Sequence, residues 1–151
     1  MCISEIAFGP WVVRANAEET RSRYASLREP PGGVCDCDAC RNYILVREKA
    51  FPPEILSFLV ELGIDPWQPY ELSHYGRMPS GLHLYNGWHY FCGSVVSGPQ
   101  SEFSNPHRVH PTFQMEMFET SKARSPFSEF RCVQVEVYTE LPWVIDLTEP
   151  F

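Results

Sequence analysis

Positive charge is scarce in this sequence: Lys and Arg total 12 against 19 Asp and Glu, a net charge of -7 at pH 7. A field of that sign repels a nucleic-acid duplex or an anionic bilayer. The two short basic clusters, Arg21 with Arg23 and Lys122 with Arg124, sit among Glu and Ser and form no stripe interleaved with aromatics. Neither nucleic acid nor a membrane is expected as a partner. Long apolar runs are missing too, since the most apolar stretch, Ile55 to Leu62, falls well short of the roughly 20 residues that a bilayer crossing requires. The opening Met1-Cys2-Ile3-Ser4-Glu5-Ile6 lacks the basic segment and apolar core of a secretory signal, so a cytoplasmic location is expected. No G-x-S-x-G, H-E-x-x-H, phosphate-binding loop, dinucleotide fingerprint or internal repeat occurs, which leaves any catalytic residue unknown.

Proline, by contrast, is plentiful, with 14 in 151 residues, nearly twice average usage, which disfavours a helical bundle and favours short elements joined by shaped turns. Hydrophobic residues make up 44% and aromatics 14%, enough for a packed core in a chain whose length fits one domain spanning residues 1–151.

Periodicity divides the chain into a helical first half and a stranded second half. Trp11 to Val13 reads as a short strand, and Ala17 to Leu27 as a weak helix with Ala17, Tyr24 and Leu27 on its apolar side. Pro30-Pro31-Gly32-Gly33 reads as a loop. Asp38 suits a helix N-cap, with Ala39, Tyr43, Val46 and Ala50 following at helical spacing. The next helix carries every local signal at once: Pro53 at its start, Glu54 in its first turn, Ile55, Phe58, Leu59 and Leu62 on one side, and Gly63 at its end.

After Asp65-Pro66 the period becomes two. Tyr70 to Tyr75, Phe113 to Met117 and Val133 to Val137 alternate as half-buried strands, and the polar stretch Ser97 to Arg108 between them is a candidate lid. Asn86-Gly87 is the commonest signature of a two-residue hairpin turn, and predicts a hairpin pairing Leu82–Tyr85 with Trp88–Phe91. That register puts Leu82, Leu84, His89 and Phe91 on one face and His83, Tyr85, Trp88, Tyr90 and Cys92 on the other. His83, Tyr85, Trp88 and Tyr90 then form an aromatic surface that would bind a small molecule or a protein, with hydrogen-bonded core packing as the alternative. The expected architecture is α+β: an antiparallel sheet with two or three short helices on one side.

Reactive chemistry is concentrated in Cys35-Asp36-Cys37-Asp38-Ala39-Cys40, which holds half of the six cysteines. Cys37-x-x-Cys40 has the spacing of one zinc knuckle. A second knuckle is missing, so the fourth ligand would come from Cys92, Cys132 or a histidine, with His83 or Cys92 best placed by the hairpin register. Zinc at Cys35, Cys37 and Cys40 is one reading. Thiol redox chemistry is another, favoured by Cys40 at a helix start beside Arg41 but opposed by Asp36 and Asp38. Plain packing of free thiols is the third.

The run Cys35 to Tyr43, together with Leu62-Gly63-Ile64-Asp65-Pro66, His74-Tyr75-Gly76, Gly81 to Trp88 and Glu140-Leu141-Pro142-Trp143-Val144, resembles a family of small uncharacterised bacterial proteins. The resemblance covers about Tyr24 to Ile145. It implies a bacterial, soluble, single-domain protein and assigns no catalytic residue. The expected function is that of a small binding or accessory protein stabilised by zinc at the cysteine cluster. The alternative is a thiol- or zinc-dependent enzyme that uses the cluster with His83.

Overall fold

A computed structural model describes residues 2–28, 35–145 and 149–150. The loop expected at Pro30 to Gly33 lies outside the described residues. Two short strands, β1 (Ser4–Phe8) and β2 (Trp11–Ala15), pair as a hairpin about Gly9, whose φ of 55° suits a tight turn. Helix α1 (Ala17–Ala25) starts where the Asn16 side chain accepts from the Glu19 backbone N–H. Helix α2 (Asp38–Val46) follows, then a short 3-10 turn at Arg47–Lys49 and helix α3 (Pro53–Glu61). The sheet is completed by β3 (Glu71–Arg77), β4 (His83–Ser97), β5 (His107–His110), β6 (Phe113–Thr120) and β7 (Cys132–Leu141).

All strand pairs are antiparallel, in the order β1-β2-β4-β7-β6-β5, with β3 also on β4. Three helices and this seven-stranded sheet make one α+β domain, the expected class. α3 ends as its sequence predicts: Gly63 takes a φ of 88°, and a Cβ there would come within 2.2 Å of the Ala17 carbonyl oxygen. Only glycine meets both demands.

The Asn86-Gly87 hairpin does not form. Both residues lie inside β4, a single strand of 15 residues, and the turn into it comes earlier, at Met78 to Leu82, with Gly81 at a φ of 88°. Each residue has a different reason for being there. The Asn86 amide donates to the Val137 carbonyl on β7, and a Cβ on Gly87 would meet the Glu71 carbonyl oxygen at 2.8 Å, so glycine admits the neighbouring strand. Cross-strand pairing on both edges has overridden a local turn preference.

Removing the turn changes which side chains share a face. The β4–β7 register runs unbroken from His83↔Leu141 to Cys92↔Cys132, so β4 alternates strictly. His83, Tyr85, His89 and Phe91 join Val133, Val135, Val137, Phe113, Met115 and Met117 on the face toward α2 and Phe51. Leu84, Asn86, Trp88, Tyr90 and Cys92 point the other way. The expected aromatic surface is therefore split: His83 and Tyr85 on one face, Trp88 and Tyr90 on the other, with His83, Tyr85 and Tyr90 buried.

Among the described residues no strand neighbours residues 89 to 92 of β4 on the edge between β3 and β2. Side chains of α1 take its place. The Tyr24 hydroxyl accepts from the Tyr90 backbone N–H at 3.0 Å and donates to the Tyr90 carbonyl, while Thr20 Oγ1 accepts from the Cys92 N–H at 2.9 Å. Thr20 is fully buried and Tyr24 nearly so, which explains why a helix with little apolar character packs here at all.

The stretch expected to be a lid crosses the second face over two buried acids, Glu116 and Glu136, which are direct partners on β6 and β7. Glu116 Oε1 accepts from the Ser101 hydroxyl and the Ser104 and Asn105 N–H groups, and Glu136 Oε1 accepts from the Phe103 N–H. Burial pushes the Glu136 carboxyl up to about 7, against hydrogen bonds that pull it down.

Candidate metal centre

The cysteine cluster forms where the chain turns into α2. Cys37, not Asp38, is the N-cap: its backbone is extended (φ -66°, ψ 162°), and its Sγ accepts from the Cys40 N–H at 3.5 Å. Asp38 opens the helix and complements its positive end. One helical turn therefore aims Cys37 and Cys40 at the same point, and the extended chain before it returns Cys35 to that point. The three Sγ atoms all lie within 4.8 Å of one another. Cys35 and Cys37 are exposed and Cys40 is half-buried.

Four sulfurs at about 2.3 Å from a tetrahedral zinc stand roughly 3.8 Å apart. Cys35 and Cys37 Sγ stand 3.1 Å apart, so accepting an ion requires this pair to open by about 0.7 Å, a small rotation of exposed side chains. The donor set also fits. Three thiolates suit zinc or another soft cation, and the N–H groups at a helix start stabilise the charge that accumulates there. The Cys37 backbone N–H, followed by the Cys37 and Cys40 thiols, lowers the Cys35 pKa, while burial and the neighbouring sulfurs raise that of Cys40. Cys35 thus becomes a thiolate before Cys40 does.

α2 is fastened to the sheet directly beneath the cluster. The Tyr85 hydroxyl donates to the Ala39 carbonyl at 2.8 Å and accepts from the Asn42 amide at 3.2 Å. The same Asn42 amide donates to the Pro142 carbonyl, and its oxygen accepts from the Val144 N–H at 2.7 Å. Asn42 is fully buried and ties α2, β4 and the segment after β7 together. Of the residues expected to bind a ligand, Tyr85 alone reaches the cluster's surroundings. Trp88 packs on Phe103 and Tyr90 on Tyr70, both on the far face.

Neither expected fourth ligand is available. Cys92 lies seven residues beyond Tyr85 along β4 and on the opposite face, about 23 Å away at the usual rise, and Cys132 is its cross-strand partner. His83 has both ring nitrogens occupied, Nδ1 at 2.8 Å from His74 Nε2 and Nε2 at 2.7 Å from Glu149 Oε1. Among the described residues no fourth His, Cys, Asp or Glu joins the three thiols.

His74 and Glu149 did not stand out in the sequence as site residues. His74 was visible as an alternating position in a strand and within the His74-Tyr75-Gly76 motif, neither of which assigned it a role, and Glu149 is brought to His83 from 66 residues away. No protein-family model matches this sequence, and neither a curated protein nor a solved structure matches it.

Proposed function

We propose that this chain is a small binding or accessory protein whose Cys35, Cys37 and Cys40 hold one zinc ion. The observation that carries the reading is the convergence of three thiols at the surface. Cysteine is among the most buried residue types, and packing accounts for thiols that sit in a core. It does not account for Cys35 and Cys37, which are exposed and yet directed at each other and at Cys40. Metal ligation gives that arrangement a cause. A zinc ion would tie the chain before α2 to the helix's first turn, and Tyr85 and Asn42 carry that fixation into the sheet. With three protein ligands, water or a partner's donor completes the tetrahedron.

Free thiols of this kind persist in a reducing compartment, which agrees with a cytoplasmic location. The partner is a small molecule or a protein rather than nucleic acid or membrane, in keeping with the net charge of -7. Titration of metal-free, reduced protein with cobalt(II) tests the reading. Saturation at one ion per chain, with sulfur-to-metal charge-transfer absorption and tetrahedral d–d bands, is expected. Octahedral cobalt spectra, or loading that survives replacement of Cys37 and Cys40 by Ser, would contradict it.

A further inference from the structure

A second group of ionisable side chains lies at the same end of the sheet, and its hydrogen bonds fix where its protons are. Glu149, His83 and His74 form a continuous line through the 2.7 Å and 2.8 Å contacts. The two imidazoles stack with centroids 5.1 Å apart at 16°, and Trp143 closes over them at 4.9 Å from His83 and 5.9 Å from His74. The Tyr85 ring lies 5.1 Å from His74, centroid to centroid. His83 is completely buried, so its partners alone determine its protonation pattern.

The hydrogen bond from His83, with Arg77 at 3.5 Å, holds the Glu149 carboxyl below the usual range. It is a carboxylate and only accepts. His83 therefore carries a proton on Nε2, and in its neutral form its bare Nδ1 must accept from His74 Nε2–H. That leaves the lone pair of His74 on Nδ1, on a half-buried residue at the edge of the sheet. Burial, and His83 beside it, hold the His74 pKa below 6.5, so the ring is neutral at pH 7. Trp143 Nε1, in the same cluster, is a buried donor with no partner among the described residues.

We infer that His74, His83 and Glu149 form a proton relay whose open end, His74 Nδ1, is a general base toward water or a hydroxyl-bearing ligand. The transfer balances. His74 accepts the O–H proton at Nδ1 and passes its Nε2 proton to His83 Nδ1. His74 ends neutral in its other tautomer, the ligand oxygen carries the negative charge, and the positive charge rests on His83 against Glu149. His74 alone touches the ligand's proton; His83 and Glu149 position it and stabilise the charge. The relay uses no metal ligand, so its test is separate from that of the zinc site.

The probe is 4-nitrophenyl acetate hydrolysed by water, alongside nitrogen-15 spectra of the histidine rings in the unmodified protein. The spectra at neutral pH should show His74 protonated at Nε2 and bare at Nδ1, with His83 protonated at Nε2. Hydrolysis should rise with pH through a midpoint below the ordinary histidine value of 6.5. His74→Gln should bring the rate to background, and Glu149→Gln, which keeps an acceptor but removes its charge, should lower it by about tenfold or more. Chelation should leave the rate unchanged. A wild-type rate in folded His74→Gln protein would overturn the relay, and so would spectra with the His74 proton on Nδ1, a readout that needs no variant to fold.

Discussion

Two sets of cysteines in this chain have opposite surroundings. Cys92 and Cys132 face each other across β4 and β7, buried, with the Thr20 hydroxyl bonded to the Cys92 N–H and the Cys132 thiol donating to the Phe127 carbonyl. Cys35, Cys37 and Cys40 converge at the protein surface, with one another as their sulfur neighbours. The first pair needs no chemistry to explain it, because a small, weakly polar side chain fills a gap under α1. The second set has no packing reason to converge. Counting cysteines in the sequence does not separate these roles; burial and direction do.

The separation is broken most severely by replacing one of the three clustered cysteines. Cys37→Ser should abolish stoichiometric zinc, measured by elemental analysis, and lower the melting temperature of zinc-loaded protein to that of the chelated form. Cys132→Ala should leave zinc content at the wild-type level. In the region of the buried pair, Tyr24→Phe leaves the Tyr90 N–H and carbonyl unpaired, and urea denaturation should show a loss of roughly 2–4 kcal/mol whether zinc is present or not.

The same half of the molecule should respond to pH rather than to metal. Glu136 ionises near 4.5 in an unfolded chain but near 7 in the fold, so the folded state binds more protons between those values and Glu136 lowers stability as pH rises through them. His89, buried and pushed down to about 4, acts in the opposite direction below 6.5. The difference between wild type and Glu136→Gln isolates the carboxyl. It should grow in favour of the variant, by on the order of 2 kcal/mol, from pH 5 to pH 8. Smallest of all should be Cys132→Ala, at roughly 1 kcal/mol in denaturant titrations.

What could be read from the sequence follows from how local each cause is. α3 was legible because Pro53, Glu54, the Ile55–Phe58–Leu59 stripe and Gly63 lie within eleven residues and agree. The cysteine cluster was legible for the same reason, and its convergence needs only one helical turn. The Asn86-Gly87 turn failed although its signal is also local, because β3 and β7 pair on either side of it and use Asn86 and Gly87 for cross-strand contact. That one misread turn exchanged the faces of Trp88, Tyr90 and Cys92 relative to His83, and with them the expected binding surface and fourth ligand. The His74–His83–Glu149 line joins residues 9 and 66 positions apart, and nothing in the spacing announces it. Periodicity put Tyr24 on the apolar side of its helix, but no pattern marks its hydroxyl or that of Thr20 as the groups that pair the open edge of β4.

X-ray absorption at the zinc edge, together with elemental analysis, on reduced protein purified without chelator tests the central claim most directly. The account predicts about one zinc per chain with three sulfur neighbours near 2.3 Å and a fourth, lighter ligand. Protein that carries no zinc, or zinc surrounded only by oxygen and nitrogen, would contradict it.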